Sequence, residues 1–193
     1  MEQTPQVEVE DGGDMVLLLH MMKKMGVPEV IDRYLPRHWT QEGLDWGWVA
    51  TIWLAHIISQ GDHGKLPVRE WVKQAPRTSE HATGLQRGET DCTEDRLSIW
   101  LTHLSETEAW PAIECELSGR TVRGYDLSAE TVRLEMTTVS GQQDGERGTL
   151  RQLGHRKDAP PLRQPKVARA TRDPLGWVVA SGVGAGERAD DPR

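Results

Sequence analysis

Residues 130–139 read ETVRLEMTTV, and this run decides how the second part of the chain folds. Val132, Leu134 and Met136 alternate with polar neighbours, so apolar side chains recur at every second position. This period places them on one face of a strand and the polar side chains on the other. The run therefore predicts a half-buried β-strand with Glu135 on its polar face.

Further strands are predicted downstream of this run. The candidates are residues 149–153, 167–171 and 177–183. The last two are separated by the tetrad Asp173-Pro174-Leu175-Gly176, in which Pro at the second position favours a β-turn. Consecutive strands joined by turns predict a β-meander.

Upstream of residue 120 the pattern is helical. Leu44 to Ser59 is apolar on nearly every side, which predicts a central buried helix. Other helices are predicted at 15–25, 29–35, 67–75, from the capping residue Thr93 onward, and at 108–117 with Gly119 at its end. Residues 77–88 are predicted to form a polar loop. Helices separated by Gly and Pro breakers predict a small helical bundle.

Charge changes sign at the same place as the pattern. The chain has 193 residues and a net charge of -7, with 10 basic and 20 acidic side chains in residues 1–119 but 11 and 7 in residues 120–175. Such an asymmetry indicates two units, of which the second is better suited to a polyanion. We predict an α+β chain with an acidic tail at 1–13, a helical domain at 14–119 and a β-containing domain at 120–193.

Several functional classes find no support in the sequence. None of the 7 histidines forms an HExxH or HxH pair, and the 2 cysteines have no CxxC spacing, so no metal site is predicted from them. The N-terminus lacks the pattern of a secretory signal. Leu44 to Ser59 is shorter than the roughly 20 residues that cross a bilayer. The sequence therefore predicts a soluble, cytoplasmic protein without a membrane partner.

Four blocks of sequence carry a resemblance to a known family. They are residues 132–141 (VRLEMTTVSG), 153–158 (LGHRKD), 173–176 (DPLG) and 186–192 (GERADDP). In this order and spacing they resemble the first part of the catalytic domain of DDE transposases from bacterial insertion sequences. Residues 119–127 resemble the segment leading into that domain, and residues 45–49 and 60–63 resemble its associated N-terminal domain.

The resemblance implies an RNase H-like fold, of which this chain would contain only the first strands. It also implies metal-dependent DNA cleavage and strand transfer, in which Asp, Asp and Glu hold two Mg²⁺ or Mn²⁺ ions that stabilise the attacking and leaving oxygens. Glu135 matches the first Asp, as catalytic residue and metal ligand, but its side chain is one methylene longer. The other two carboxylates are expected beyond Pro192. The expectation is a truncated transposase that is inactive alone, with DNA ends and a second copy of the chain as partners.

Two other interpretations remain open from the sequence. The first is a non-catalytic DNA-binding or dimerising module. Its phosphate contacts would come from Arg133, Arg147, Arg151, Arg156, Lys157, Arg163, Lys166, Arg169 and Arg172. The second is an expressed remnant without function. On composition alone, Glu135 beside an arginine is an ordinary surface pair worth about 0.2–1 kcal/mol.

Overall fold

The computed structural model describes residues 9–38, 42–86, 88, 90–106, 108–127, 131–139, 152–153 and 163–185. Helices come first: α1 (Met15–Met25), α2 (Val27–Tyr34), α3 (Trp46–Gln60), α4 (Leu66–Lys73), α5 (Pro76–Thr83), α6 (Glu94–Glu106) and α7 (Trp110–Gly124). Strands follow: β1 (Val132–Thr138), β2 (Gln152–Leu153), β3 (Arg163–Arg172) and β4 (Trp177–Ala185). The predicted α+β class is confirmed. The chain divides into two compact units, Met1–Ile113 and Glu114–Arg193.

Helix α3 is the centre of the first unit, as predicted. Every side chain from Trp46 to Trp53 is buried. Trp53 packs edge-on against Trp100 of α6, with ring centroids 5.9 Å apart. The start of α1 is fixed to the end of α3 because the Ser59 hydroxyl donates to the Asp14 carboxylate at 2.6 Å. Among the described helices, none has both the length and the apolar character needed to cross a membrane.

A buried ion pair anchors the segment that enters α3. The Asp91 carboxylate accepts hydrogen bonds from the backbone N–H groups of Leu44 at 2.8 Å and Gly88 at 2.6 Å. The Arg96 guanidinium lies 3.6 Å from the same carboxylate and donates to the carbonyl of Glu42 at 3.0 Å. Buried charges need such partners because an unpaired one is strongly destabilising. The pair therefore ties α6 to the start of α3.

Helices α2 and α3 approach each other closely at Gly47. The Gly47 N–H donates to the Asp32 carboxylate of α2 at 2.6 Å. Asp45 occupies the N-cap position of α3 but makes no side-chain capping bond, and it pairs with Arg37 at 3.1 Å instead. A Cβ at position 47 would lie 2.1 Å from the Pro28 carbonyl oxygen. Asp32 thus caps α3 from the neighbouring helix, and the contact requires glycine.

One helix forms where the sequence predicted a loop. Residues 77–88 are polar, yet α5 (Pro76–Thr83) occupies the first half of this segment, so the loop prediction is wrong there. The Glu10 carboxylate accepts hydrogen bonds from the backbone N–H groups of Arg77 at 3.1 Å and Thr78 at 2.8 Å. These are two of the N–H groups that a helix leaves unpaired at its start. A cap contributed from far away in the sequence therefore supports α5.

The last helix is longer than predicted. It continues through Gly119 to Gly124, so the predicted end at Gly119 is wrong. Within the second unit, the Glu114 carboxylate on α7 accepts a hydrogen bond from the backbone N–H of Ser181 on β4 at 2.8 Å. This bond satisfies an N–H group of a strand that otherwise pairs only with β3 among the described residues.

The three long strands form an antiparallel sheet in the order β1, β3, β4. The predicted meander, in which each strand pairs with the next one in the chain, is wrong for the first strands, because β1 pairs with β3 and not with β2 in the described part of the chain. It is correct for β3 and β4, which are joined by the predicted turn at residues 173–176. Among the residues that the structure describes, strand β2 pairs with the start of β3, at Arg163 and Gln164. Of the predicted strand at 149–153, residues 149–151 lie outside the described residues. Strand β3 is thus the centre of the sheet.

The apolar side chains of β1 are more exposed than the prediction of a half-buried strand implies. Val132 is 56% exposed and Leu134 is 65% exposed, whereas Met136 is half-buried. Their partners on β3 include Ala170 opposite Leu134 and Ala168 opposite Met136. Alanine offers a neighbouring leucine little apolar contact along the sheet, so this face of β1 buries little apolar area.

Candidate nucleic-acid interface

Glu135 lies in the middle of β1, on the strand that the sequence predicted for it. Its partner across the sheet is Arg169 on β3, and Arg133 on β1 is opposite Thr171. Successive side chains alternate between the two faces of a strand. Arg133, Glu135, Arg169 and Thr171 therefore share one face, which is the face opposite Leu134.

Two ion pairs join the charged side chains on this face. The Arg133 Nε lies 2.7 Å from the Asp173 Oδ2, and the Arg169 Nη2 lies 3.8 Å from the Glu135 Oε2. The first distance is that of a charge-assisted hydrogen bond, and the second is an ion pair beyond hydrogen-bond range. We call these side chains the charged row; its members are Asp173, Arg133, Glu135 and Arg169. The row carries two positive and two negative groups.

The charged row is open to solvent. The side chains of Arg133 and Arg169 are 67% and 51% exposed, and that of Glu135 is 60% exposed. Asp173 is more enclosed, at 27%. Exposed pairs of this type contribute about 0.2–1 kcal/mol because water screens both charges. Both guanidinium groups are therefore accessible to an anionic ligand at a small cost in stability.

Sequence reasoning did not identify the role of Asp173. It was assigned only to the turn after β3, where its backbone N–H donates to the Thr131 carbonyl at 3.1 Å. Its carboxylate bonds Arg133, 40 positions earlier in the chain. No local pattern indicates a contact at that separation. The signal that could have found it is the strand register, since residues that follow β3 lie beside the start of β1.

The other predicted DNA contacts divide into three groups. Lys166 and Arg172 lie opposite Thr138 and Val132, on the face away from the charged row. Arg172 is 7% exposed and donates to the Leu127 carbonyl at 2.9 Å, so its guanidinium is not presented to a ligand. Arg163 begins β3, but its side chain is outside the described residues, as are Arg147, Arg151, Arg156 and Lys157 entirely.

The donor set around Glu135 does not match a two-ion metal centre. Within the described ranges, no three His, Cys, Asp or Glu side chains come together in a way that could hold a metal ion. The Arg169 guanidinium lies 3.8 Å from the Glu135 carboxylate on the neighbouring strand. That charge repels a divalent cation. The described residues thus supply one carboxylate of the three that the resemblance implies, and no catalytic step follows from them.

Comparisons with protein-family models, with curated proteins and with solved structures returned no match for this chain.

Proposed function

We propose that this chain is a DNA-binding relative of the insertion-sequence DDE transposases, with Glu135 at the position of their first metal-binding carboxylate. The observation that carries the proposal is the charged row, in which two exposed arginines flank Glu135 on one sheet face. The resemblance of residues 132–141 to the family supports it, as does the position of Glu135 within the first strand of an antiparallel sheet.

In this proposal Arg133 and Arg169 contact DNA phosphates. Guanidinium groups donate in a planar fork that matches phosphate oxygens. Contacts of this kind give affinity without base specificity. The helical unit is acidic, since residues 1–113 hold 10 basic and 18 acidic side chains. Nonspecific affinity is consequently expected near the weak end of the usual range, a Kd of roughly 10⁻⁴ M at physiological salt.

The transposase family that this chain resembles also carries out metal-dependent DNA cleavage and strand transfer. We propose that this chain does not perform that reaction alone. Two Mg²⁺ or Mn²⁺ ions would supply stabilisation of the attacking and leaving oxygens. The described residues provide Glu135 as a single ligand, beside Arg169. A non-catalytic DNA-binding module, the second candidate function, is favoured by this ion pair because the positive charge of Arg169 opposes the binding of a divalent cation at Glu135.

Fluorescence anisotropy with the full chain and a labelled duplex tests the DNA-binding proposal. We expect binding that weakens between 50 and 200 mM KCl, about 0.9 units of log K per unit of log salt for each phosphate contact. The double variant Arg133→Ala/Arg169→Ala should lower both the affinity and the slope. Arg69→Ala/Lys73→Ala is the matched control, since it removes two exposed cations from α4.

Two results would overturn the proposal. One is an absence of binding at 50 mM KCl, and the other is an equal loss of affinity in both double variants. A parallel assay with labelled DNA and Mg²⁺ or Mn²⁺ examines catalysis. We expect no cleavage; nicking that disappears in Glu135→Gln would instead establish a catalytic carboxylate at this position.

A further inference from the structure

The charged row already contains anions at the places where a ligand's phosphates would bind. Arg133 is bonded to Asp173 at 2.7 Å, and Arg169 is paired with Glu135 at 3.8 Å. Charges therefore alternate along the row and balance each other. A phosphate can engage either guanidinium fully only if it replaces or shares the carboxylate that is already there.

The two pairs differ in how firmly they hold their arginine. The Arg133–Asp173 distance is short, and the Asp173 side chain is 27% exposed. The Arg169–Glu135 distance exceeds that of a hydrogen bond, and Glu135 is 60% exposed. Water screens the second pair more strongly than the first. Arg169 is accordingly the arginine that a phosphate reaches first.

We infer that Glu135 and Asp173 are internal counter-anions that limit the affinity of this sheet face for DNA phosphates. Glu135 competes with phosphate for Arg169, and Asp173 competes with phosphate for Arg133. The inference rests on the proposed DNA binding and adds its regulation. It assigns Glu135 an electrostatic role that needs no metal ion. Any change that neutralises these carboxylates increases the positive potential of the face and strengthens its contact with a polyanion.

Substitution of Glu135 is the direct test. With the full chain and the same duplex at 50 mM KCl, Glu135→Gln should raise the affinity about 3- to 10-fold, and the gain should shrink at 200 mM KCl as salt screens the charges. The salt slope should become steeper. Glu135→Asp keeps the charge and should remain within about 2-fold of the wild type.

A matched control separates this effect from a change in total charge. Glu70 on α4 is also exposed and pairs with Lys73 at 2.8 Å, so Glu70→Gln makes the same change of charge in the helical unit. We expect less than about a 2-fold gain for it, because this substitution releases Lys73 and leaves both arginines of the charged row paired. An equal gain in Glu70→Gln and Glu135→Gln would overturn the inference.

A double-mutant cycle locates the effect on Arg169. In an Arg169→Ala background, Glu135→Gln should produce a smaller gain than in the wild type, since the guanidinium it would release is absent. Asp173→Asn repeats the test at the Arg133–Asp173 pair. Because that pair is the shorter of the two, Asp173→Asn should raise the affinity for DNA more than Glu135→Gln does. Circular dichroism and the urea midpoint show whether each variant is folded.

Failure of the inference and failure of the proposed function are distinguishable. If no variant binds DNA, the proposed function itself fails. If Arg133→Ala/Arg169→Ala weakens binding while Glu135→Gln and Asp173→Asn leave it unchanged, DNA binding stands and the counter-anion role is wrong. The ion pairs would then be ordinary surface pairs.

Discussion

The helical unit (Met1–Ile113) and the sheet unit (Glu114–Arg193) each contain a carboxylate paired with an arginine. The pair in the helical unit is buried, and the pair in the sheet unit is exposed to solvent. The side chains of Asp91 and Arg96 are 0% and 12% exposed, whereas those of Glu135 and Arg169 are 60% and 51% exposed. The two distances are similar, at 3.6 and 3.8 Å. Exposure to solvent therefore sets the cost of breaking each pair, because a buried charge that loses its partner has no water to replace it.

Burial of apolar side chains differs between the two units in the same way. In α3, Val49, Ala50 and Ala55 are fully buried, and Asp91 holds the segment before the helix. In β1, Leu134 is 65% exposed. A buried pair is costly to break because the remaining charge has no water around it, whereas the arginine of an exposed pair can exchange its carboxylate for an external anion.

The largest expected effect comes from removing Arg96. Arg96→Ala leaves the Asp91 carboxylate buried without its cation and should lower the free energy of unfolding of the helical unit by about 3–5 kcal/mol. Urea unfolding followed by Trp fluorescence measures it. Of the 8 Trp residues, only Trp177 lies after residue 113, so the signal reports mainly on this unit.

Arg69→Ala is the control for this prediction. Arg69 is exposed on α4, and its removal should change the free energy of unfolding by less than about 0.5 kcal/mol. Should both variants unfold at the urea concentration of the wild type, the contrast between buried and exposed pairs would be broken.

The next effect concerns the close approach of α2 to α3. Gly47→Ala places a Cβ 2.1 Å from the Pro28 carbonyl oxygen and 2.7 Å from the Asp32 carboxylate, so the helices must separate. We expect a loss of about 1–3 kcal/mol in the free energy of unfolding. In Gly119→Ala the new Cβ meets only the flexible end of Arg123, and alanine's helix propensity should make this control neutral or slightly stabilising. Equal behaviour of the two variants would contradict the packing at Gly47.

The sequence predicted the elements that depend on local patterns and missed those that depend on contacts between distant residues. Apolar periodicity identified α3 and β1, because both depend on residues close together in the chain. Helix α5 was missed because its N-terminal cap is Glu10, 67 positions before Arg77. A polar segment of this length has little helical stability alone, and only a distant partner supplies it.

The candidate site was predictable to the same extent. The alternating pattern placed Glu135 and Arg133 on one face of a strand, and the structure agrees. The pairing of Glu135 with Arg169 and of Arg133 with Asp173 depends on strand register. Register follows from how β1 and β3 meet, and the residues of either strand taken alone do not contain that information.

A smaller effect is expected from pH at the contact between α2 and α3. The pKa of Asp32 is raised from 3.8 to about 6, chiefly by burial, with smaller contributions from the negative charges of Asp45 and Glu29 and with the Gly47 N–H and Arg37 opposing the shift. The folded state therefore binds this proton more tightly than the unfolded state does. The resulting stabilisation is fully present below pH 3.8 and is lost as the pH rises through about 6.

Asp32→Asn tests this assignment. The amide keeps an oxygen that accepts from Gly47 but carries no charge to desolvate. Between pH 4 and pH 7, the unfolding free energy of the wild type should fall relative to that of the variant by about 1–3 kcal/mol. Urea unfolding of both proteins at a series of pH values measures the difference. Parallel curves would show that Asp32 titrates normally.

The smallest expected effect is on the exposed pair, and it completes the contrast with Asp91 and Arg96. Arg169→Ala removes the cation beside Glu135, yet the unfolding free energy of the sheet unit should fall by no more than about 1 kcal/mol. Amide hydrogen exchange in β1 and β3 reports on that unit directly. The change should also become smaller at high salt. A loss as large as that in Arg96→Ala would mean that the charged row holds the sheet together, and its carboxylates could not then give way to DNA phosphates.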